Sequence, residues 1–156
     1  MSDTPPRIGF VGTPGHGLRG ALTLRELGLD VTICCEDEEL SDVPSPAEVA
    51  GRAEVVLIEA SDADGVDAIL FSVMGLASGA PTPRVDKPED GLTAVVLTAM
   101  EPEQTDGAAE RLAGYGVTLV YAPLEGEEVA GLDADDDTAA RLAPLLAAAG
   151  LVKAEG

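Results

Sequence analysis

Short apolar runs alternate along the chain with longer segments in which apolar residues recur every third or fourth position. Arg7–Gly12 (RIGFVG) is an apolar run closed by glycine and followed by Pro14, the pattern of a buried strand entering a tight turn. After Gly17, residues Leu18, Ala21, Leu22, Leu24 and Leu27 recur at helical spacing, and Gly28 follows as a stop. Asp30–Cys35 (DVTICC) is β-branched and apolar and completes a β-α-β unit. Ser45-Pro46-Ala47-Glu48 predicts a helix entry, with Ser45 as the cap, Pro46 at the first position and the helix running to Arg52. Glu54–Glu59 (EVVLIE), Leu92–Thr98 and Val117–Tyr121 read as further strands, and Asp64–Val73 and Glu103–Tyr115 as the helices between them. Thr138–Gly150 is the last helix, with Leu142, Leu145, Leu146 and Ala149 on one side.

Strands that are apolar throughout, alternating with helices, imply a parallel sheet covered on both faces. The expected fold is α/β: a doubly wound, mainly parallel Rossmann-like sheet of five or six strands in a single domain. Residues 1–6 are expected to be a flexible N-terminus, 7–150 the domain and 151–156 a tail, with Gly79–Gly91 a proline-rich surface loop.

Composition narrows the partners. A length of 156 residues suits one domain, and 46% hydrophobic residues with a mean hydropathy of +0.17 support a packed core despite a net charge of −20. With 29 acidic against 9 basic residues the chain repels phosphate polyanions and anionic lipid, which argues against nucleic-acid and membrane-surface partners. Apolar stretches such as Ala94–Ala99 fall far short of the roughly 20 residues needed to cross a bilayer. The N-terminus has no hydrophobic targeting region, so the expected location is cytoplasmic. Cys34 and Cys35 are adjacent, fit neither zinc nor disulfide-scaffold spacing, and read as reduced thiols directed to opposite faces of a strand. Acidic neighbours disfavour their thiolates.

The informative stretch is Gly12-Thr13-Pro14-Gly15-His16-Gly17, between the first strand and the first helix. A dinucleotide pyrophosphate can rest there on unpaired amides and the positive end of the helix dipole. In the G-x-G-x-x-G fingerprint the first glycine makes the turn, the second admits the pyrophosphate and the third lets the helix pack on the strand. Gly12 and Gly17 occupy the outer two positions. The middle one is Pro14, which has no N–H and places a ring where the ligand needs clearance, leaving Gly15, His16 and Arg19 as the other donors. Glu36 lies about 20 positions further on, just past the second strand, where an acidic residue holds the adenosine ribose. Its charge favours NAD over NADP; read differently, it is the first exposed residue of an acidic loop.

Taken together, these segments resemble the N-terminal NAD(P)-binding domain of the β-hydroxyacid dehydrogenase family, the group of 3-hydroxyisobutyrate and 6-phosphogluconate dehydrogenases. The resemblance rests on IGFVG at Ile8–Gly12, SPAEVAGRAEVVLIEASDADGVDAIL at Ser45–Leu70, APLEG at Ala122–Gly126 and RLAPLLAAAG at Arg141–Gly150. It implies a nucleotide crevice formed by Gly12, Thr13, Gly15, His16, Gly17, Glu36, Ser61 and Thr98, with Glu125 and Gly126 on the substrate side. The chain departs from the family at Pro14 and His16, and it carries Glu125-Gly126-Glu127 where the family docks a substrate carboxylate. Lys87 and Lys153 match no catalytic lysine of the family, whose catalytic helix follows this domain.

No residue is therefore assigned a catalytic role. The expectation is a module without hydride transfer of its own, with NAD as its cofactor and NADP disfavoured. Alternatives are an interaction protein that kept the fold, or a reductase that completes its site across a homodimer or with a separate partner, using His16, Thr98 and Glu125. Asp62, Asp64 and Asp67 suit the start of a helix better than a metal, and neither Ser61 nor Ser72 belongs to a nucleophile motif.

Overall fold

Strands apolar on both faces need a helical layer on each, and the sheet is built that way. A computed structural model describes residues 7–13, 15–35, 37, 39–79, 92–125, 128–129 and 136–151. Strands β1 (Ile8–Gly12), β2 (Val31–Cys35), β3 (Val55–Glu59), β4 (Thr93–Val96) and β5 (Thr118–Tyr121) form one sheet in the order β2-β1-β3-β4-β5. Every pairing in it is parallel. Two two-residue strands, β6 (Leu124–Glu125) and β7 (Glu128–Val129), pair antiparallel beside it and are an addition to the sequence expectation.

The helices divide between the faces. Helices α1 (His16–Glu26) and α6 (Asp136–Ala148) cover one, where Leu18, Ala21 and Leu24 and Leu142, Leu145 and Leu146 meet Ile8, Phe10, Leu57 and Val95 of the strands. Helices α2 (Pro46–Arg52), α3 (Ala63–Phe71), α4 (Leu76–Gly79) and α5 (Pro102–Ala113) cover the other. There Val49, Val66, Leu70, Leu76 and Leu112 meet Val11, Val56, Ile58 and Val96. Neighbouring residues of one strand, such as Leu57 and Ile58, thus belong to opposite cores, as a period of two requires.

Local details refine the sequence reading. Leu27 follows α1 and is 61% exposed, outside the apolar stripe that Leu18, Ala21 and Leu24 form. Ser45 stands at the N-cap of α2, yet its Oγ is buried without a hydrogen-bond partner, and its carbonyl accepts the Glu48 amide at 3.2 Å instead. α5 starts at Pro102, where the Glu101 amide donates to Gln104 Oε1 at 3.0 Å in a reciprocal capping box. α6 begins at Asp136, because Asp136 and Asp137 complement the helix dipole in its first turn. Leu151, which the sequence reading put in the tail, is 2% exposed and its amide donates to the Leu146 carbonyl at 2.9 Å. The expected loop lies outside the described residues except for Gly79, which closes α4, and the expected flexible N-terminus lies outside them entirely. Among the described residues no helix is long and apolar enough to cross a membrane.

Packing of α1 on the sheet gives a direct test. A Cβ on Gly17 would stand 2.7 Å from Phe10 Cε1 and 2.8 Å from Leu97 Cδ1, both buried and unable to give way freely. Gly17→Ala should destabilise the fold by about 1–3 kcal/mol. Gly107, in α5 and with nothing within 4 Å of such a Cβ, should show the opposite sign, with Gly107→Ala stabilising by up to about 1 kcal/mol. Urea denaturation of both variants checks the pair.

Candidate crevice at the ends of strands one, two and three

In an open parallel sheet, ligands collect at the carboxyl ends of the strands where successive connections leave for opposite faces. Here that point lies between β1 and β3: the chain passes from β1 into α1 on one face, and from β2 into α2 and on to β3 across the other. Gly12 pairs with Cys35 on one side and Glu59 on the other. It adopts φ +136°, and a Cβ there would fall 1.8 Å from the Glu59 carbonyl oxygen, so only glycine fits. The next amide, that of Thr13, donates to the same oxygen at 2.8 Å.

Glu59 is the central group of the crevice. The alternation that sends Leu57 to the α1 face sends Glu59 there too, one residue beyond the last sheet partner of β4. Its Oε1 accepts the Gly17 amide at 2.7 Å, across 42 residues of chain. Helix α1 has no cap of its own, since its N-cap residue is Gly15 and its first turn holds no acidic side chain. Glu59 supplies both the missing acceptor and the negative charge that a helix start favours. Gly15 lies against the same carboxylate, with a Cβ position 2.7 Å from Oε2.

That arrangement tests the loop against a dinucleotide. The pyrophosphate of such a ligand needs the amides at the start of α1, and the one at Gly17 is already bonded to a fixed anion. Two like unit charges about 4 Å apart at an effective dielectric of about 20 repel by about 4 kcal/mol. An anion at this helix start therefore has one amide fewer to bind and a carboxylate beside it.

On the opposite side of Gly12 a cleft of about 470 Å³ opens between the ends of β1 and β2 and the start of α3. Val11, Ala60 and Ile69 supply apolar wall, and Thr13, Ser61 and Asp62 a polar rim. Asp62 is committed to α3, whose Gly65 amide donates to its Oδ1 at 2.8 Å, in keeping with the helix-start reading of these aspartates. Cys34 and Cys35 line the same cleft and pack into opposite cores as expected. Both are free thiols, and burial, with smaller contributions from Cys35 and Glu48, pushes the Cys34 thiol above its ordinary range.

Of the residues expected at the site, Gly12, Thr13 and Ser61 line this cleft, and Gly15 and Gly17 lie at the neighbouring helix start. His16 lines a separate groove between α1 and the end of α6, with Arg19, Thr23 and Leu151. Thr98 is buried, and its hydroxyl accepts the Ala60 amide at 2.7 Å and donates to the Ala60 carbonyl at 3.1 Å, tying the end of β4 to the β3–α3 turn. The backbone of Glu125 pairs with that of Glu128 in the small hairpin. Pro14, Glu36, Gly126 and Glu127 lie outside the described residues, as do Lys87 and Lys153. Among the described residues no group of three or more His, Cys, Asp or Glu is placed to hold a metal ion. Sequence reasoning passed over Glu59, for which the signal was a carboxylate closing an apolar run two positions after a core leucine.

No protein-family model matches the chain. It is 27% identical over 128 residues to L-threonate dehydrogenase of Cupriavidus necator, covering 76% of this chain and 40% of that protein. Among solved structures it superposes on 3-hydroxyisobutyrate dehydrogenase of Mycobacterium tuberculosis with a TM-score of 0.76 and 16% identity, covering 92% of this chain and 52% of that one. The Salmonella typhimurium enzyme of the same name gives 0.74 at 18% identity, covering 96% and 54%. A Myxococcus stipitatus imine reductase variant, solved with NAD+, gives 0.73 at 12%, covering 92% and 52%. The chain thus spans about half the length of these structures and less of the curated relative. The expected resemblance to the nucleotide domain of hydroxyacid dehydrogenases holds at the level of fold.

Two measurements follow from the geometry. Glu59→Ala removes the acceptor at the start of α1 and should cost about 0.5–2 kcal/mol, read as a lower midpoint in urea. Cys34 carries its thiolate only at raised pH, so its alkylation by iodoacetamide, followed by peptide mass spectrometry, should be slower than that of free cysteine near neutrality and accelerate as pH rises.

Proposed function

We propose that this chain is a ligand-binding module built on the nicotinamide-nucleotide domain of hydroxyacid dehydrogenases and imine reductases, and that it performs no hydride transfer by itself. The observation that carries the reading is the position of the cleft: it opens at the switch point of a sheet whose fold matches half of each of those enzymes. Solved structures of this fold hold nicotinamide cofactors, NAD+ in the Myxococcus stipitatus imine reductase variant and NADP+ in Psf3, and this supports an adenosine-bearing compound as the ligand class.

Lack of hydride transfer is supported by how the crevice side chains are used. Thr98 is consumed by Ala60, Asp62 by Gly65 and Glu59 by Gly17, and His16 lies in the groove beside α6. None of these is presented as a free proton donor to a carbonyl or alcohol in the cleft.

Calorimetric titration with adenosine, NAD and NADP tests the binding reading, since the chain has no Trp to report binding by its own fluorescence. A saturable heat with at least one of them, lost when Ala68→Trp fills the cleft, is the expected result. Nicotinamide absorbance should not change when NAD or NADP is mixed with the chain and a series of hydroxyacids; turnover by the purified chain would overturn the second half of the proposal. The seat taken by Glu59 favours a second reading, in which the fold is kept for contact with another protein and the cleft binds nothing. Absence of heat with every compound, from a folded sample, would select it.

A further inference from the structure

Glu59 and the cleft share one wall, and what each does limits what the other can hold. Gly12 and Thr13 line the cleft, and the same two residues abut the Glu59 backbone, Thr13 through its amide at 2.8 Å. The Gly17 amide is bonded to the Glu59 carboxylate, and the Arg19 amide closes the first helical bond to the Gly15 carbonyl at 3.1 Å. These three amides of the loop and helix start are spent on the protein itself.

The cleft lining carries the same message in its side chains. Among the described residues around it there is no Lys, Arg or His, while Asp62 stands on the rim. A phosphate on a ligand of this cleft would lose its hydration, find the Thr13 and Gly17 amides engaged, and meet Asp62 on the rim or, where it reached the helix start on the other side of Gly12, the Glu59 carboxylate, in a chain of net charge −20. An uncharged heteroaromatic group meets none of these obstacles. The apolar wall of Val11, Ala60 and Ile69 offers it van der Waals contact, and the Thr13 and Ser61 hydroxyls offer hydrogen bonds to ring or sugar. A volume of about 470 Å³ is of the size that holds one nucleoside-sized molecule.

We infer that the cleft takes an uncharged, nucleoside-sized ligand and rejects its phosphorylated forms, and that Glu59 is the residue that sets this preference. The inference rests on the reading of the cleft as a ligand site and adds the class of ligand. Glu59 acts here as an internal anion: it gives α1 the negative partner that a phosphate gives other helix starts, and it does so permanently.

The test is a phosphate ladder. Adenosine, AMP, ADP and NAD are titrated calorimetrically into the full chain and into Glu59→Gln, with circular dichroism confirming that both are folded. In the wild type adenosine should bind most tightly, and ADP and NAD at least about tenfold more weakly. In Glu59→Gln the ratio of NAD to adenosine affinity should rise by about tenfold or more, because the amide side chain no longer repels phosphate. Wild-type binding of ADP or NAD as tight as that of adenosine overturns the inference while leaving the cleft a ligand site, and so does a ratio unchanged in Glu59→Gln. If neither protein binds any of the four, the cleft reading itself fails and the inference falls with it. Should the variant not fold, the wild-type ladder decides alone by the order of its affinities.

Discussion

Between the end of β3 and the start of α1 a single carboxylate settles two problems that the sheet would otherwise leave open. Helix α1 must pack closely on β1, which requires glycines around its first turn, and glycines provide no side chain to cap it. Glu59 reaches across from the neighbouring strand and takes the Gly17 amide at 2.7 Å. The contact joins β1, β3 and α1 at the point where the two helical layers diverge, so the shape of the crevice depends on it. Thr98 performs a similar tie one strand further along, holding the β3–α3 turn to β4 through both hydrogen-bonding roles of its hydroxyl. At these two points the polar groups of the carboxyl edge are bonded to the protein itself, beside the cleft.

Acidity elsewhere is managed by position more than by pairing. Among the described residues Arg25 donates to the Val31 carbonyl at 2.7 Å and pairs with Asp42, which in turn accepts the Ile33 amide at 2.9 Å, so that the pair fastens the β2–α2 connection to β2. Arg111 lies 3.8 Å from the centre of the Phe71 ring and 3.5 Å from Asp67, joining α5 to α3. These partners are largely exposed, as are Arg7 and Glu54, and each pair contributes at most about 1 kcal/mol. With so few cations, acidic side chains are used where a helix start can accept them: Asp62 on α3, Glu101 on α5, Asp136 and Asp137 on α6, and Glu59 on α1.

The legibility of the fold followed from which physical signals are local. Continuous apolar runs and helical spacing are properties of neighbouring residues, and they placed the five strands and the longer helices within a few positions of where they stand. The parallel order came from a second local property, the absence of alternation in the strands. What escaped depended on tertiary context. Helix α4 has four residues and owes its place to α2, where Ala47 donates to Met74 just before it; the β6–β7 ladder is two residues long on each side. Ser45 carries the sequence mark of a cap and does not cap, because burial of its Oγ removed it from the amides it was expected to meet. At the crevice the glycines were readable in the loop itself, whereas Glu59 belongs to it only through a contact spanning 42 residues.

That contact also bears on what a glycine-rich turn after a first strand reports. Gly12 is required because a carbonyl oxygen of β3 lies where its Cβ would be, and Gly17 because Phe10 and Leu97 lie where its own would be. Neither constraint involves a ligand. A chain that gave up phosphate binding would still need both glycines to bring β1, β3 and α1 together, so their spacing records the packing of the fold. Information about the ligand resides in the group that faces the helix start from the next strand. When that group is small or neutral the helix amides stay free for an anion; when it is a carboxylate, the anion is already part of the protein. In this chain that side chain is a carboxylate, a fact the glycine pattern does not carry.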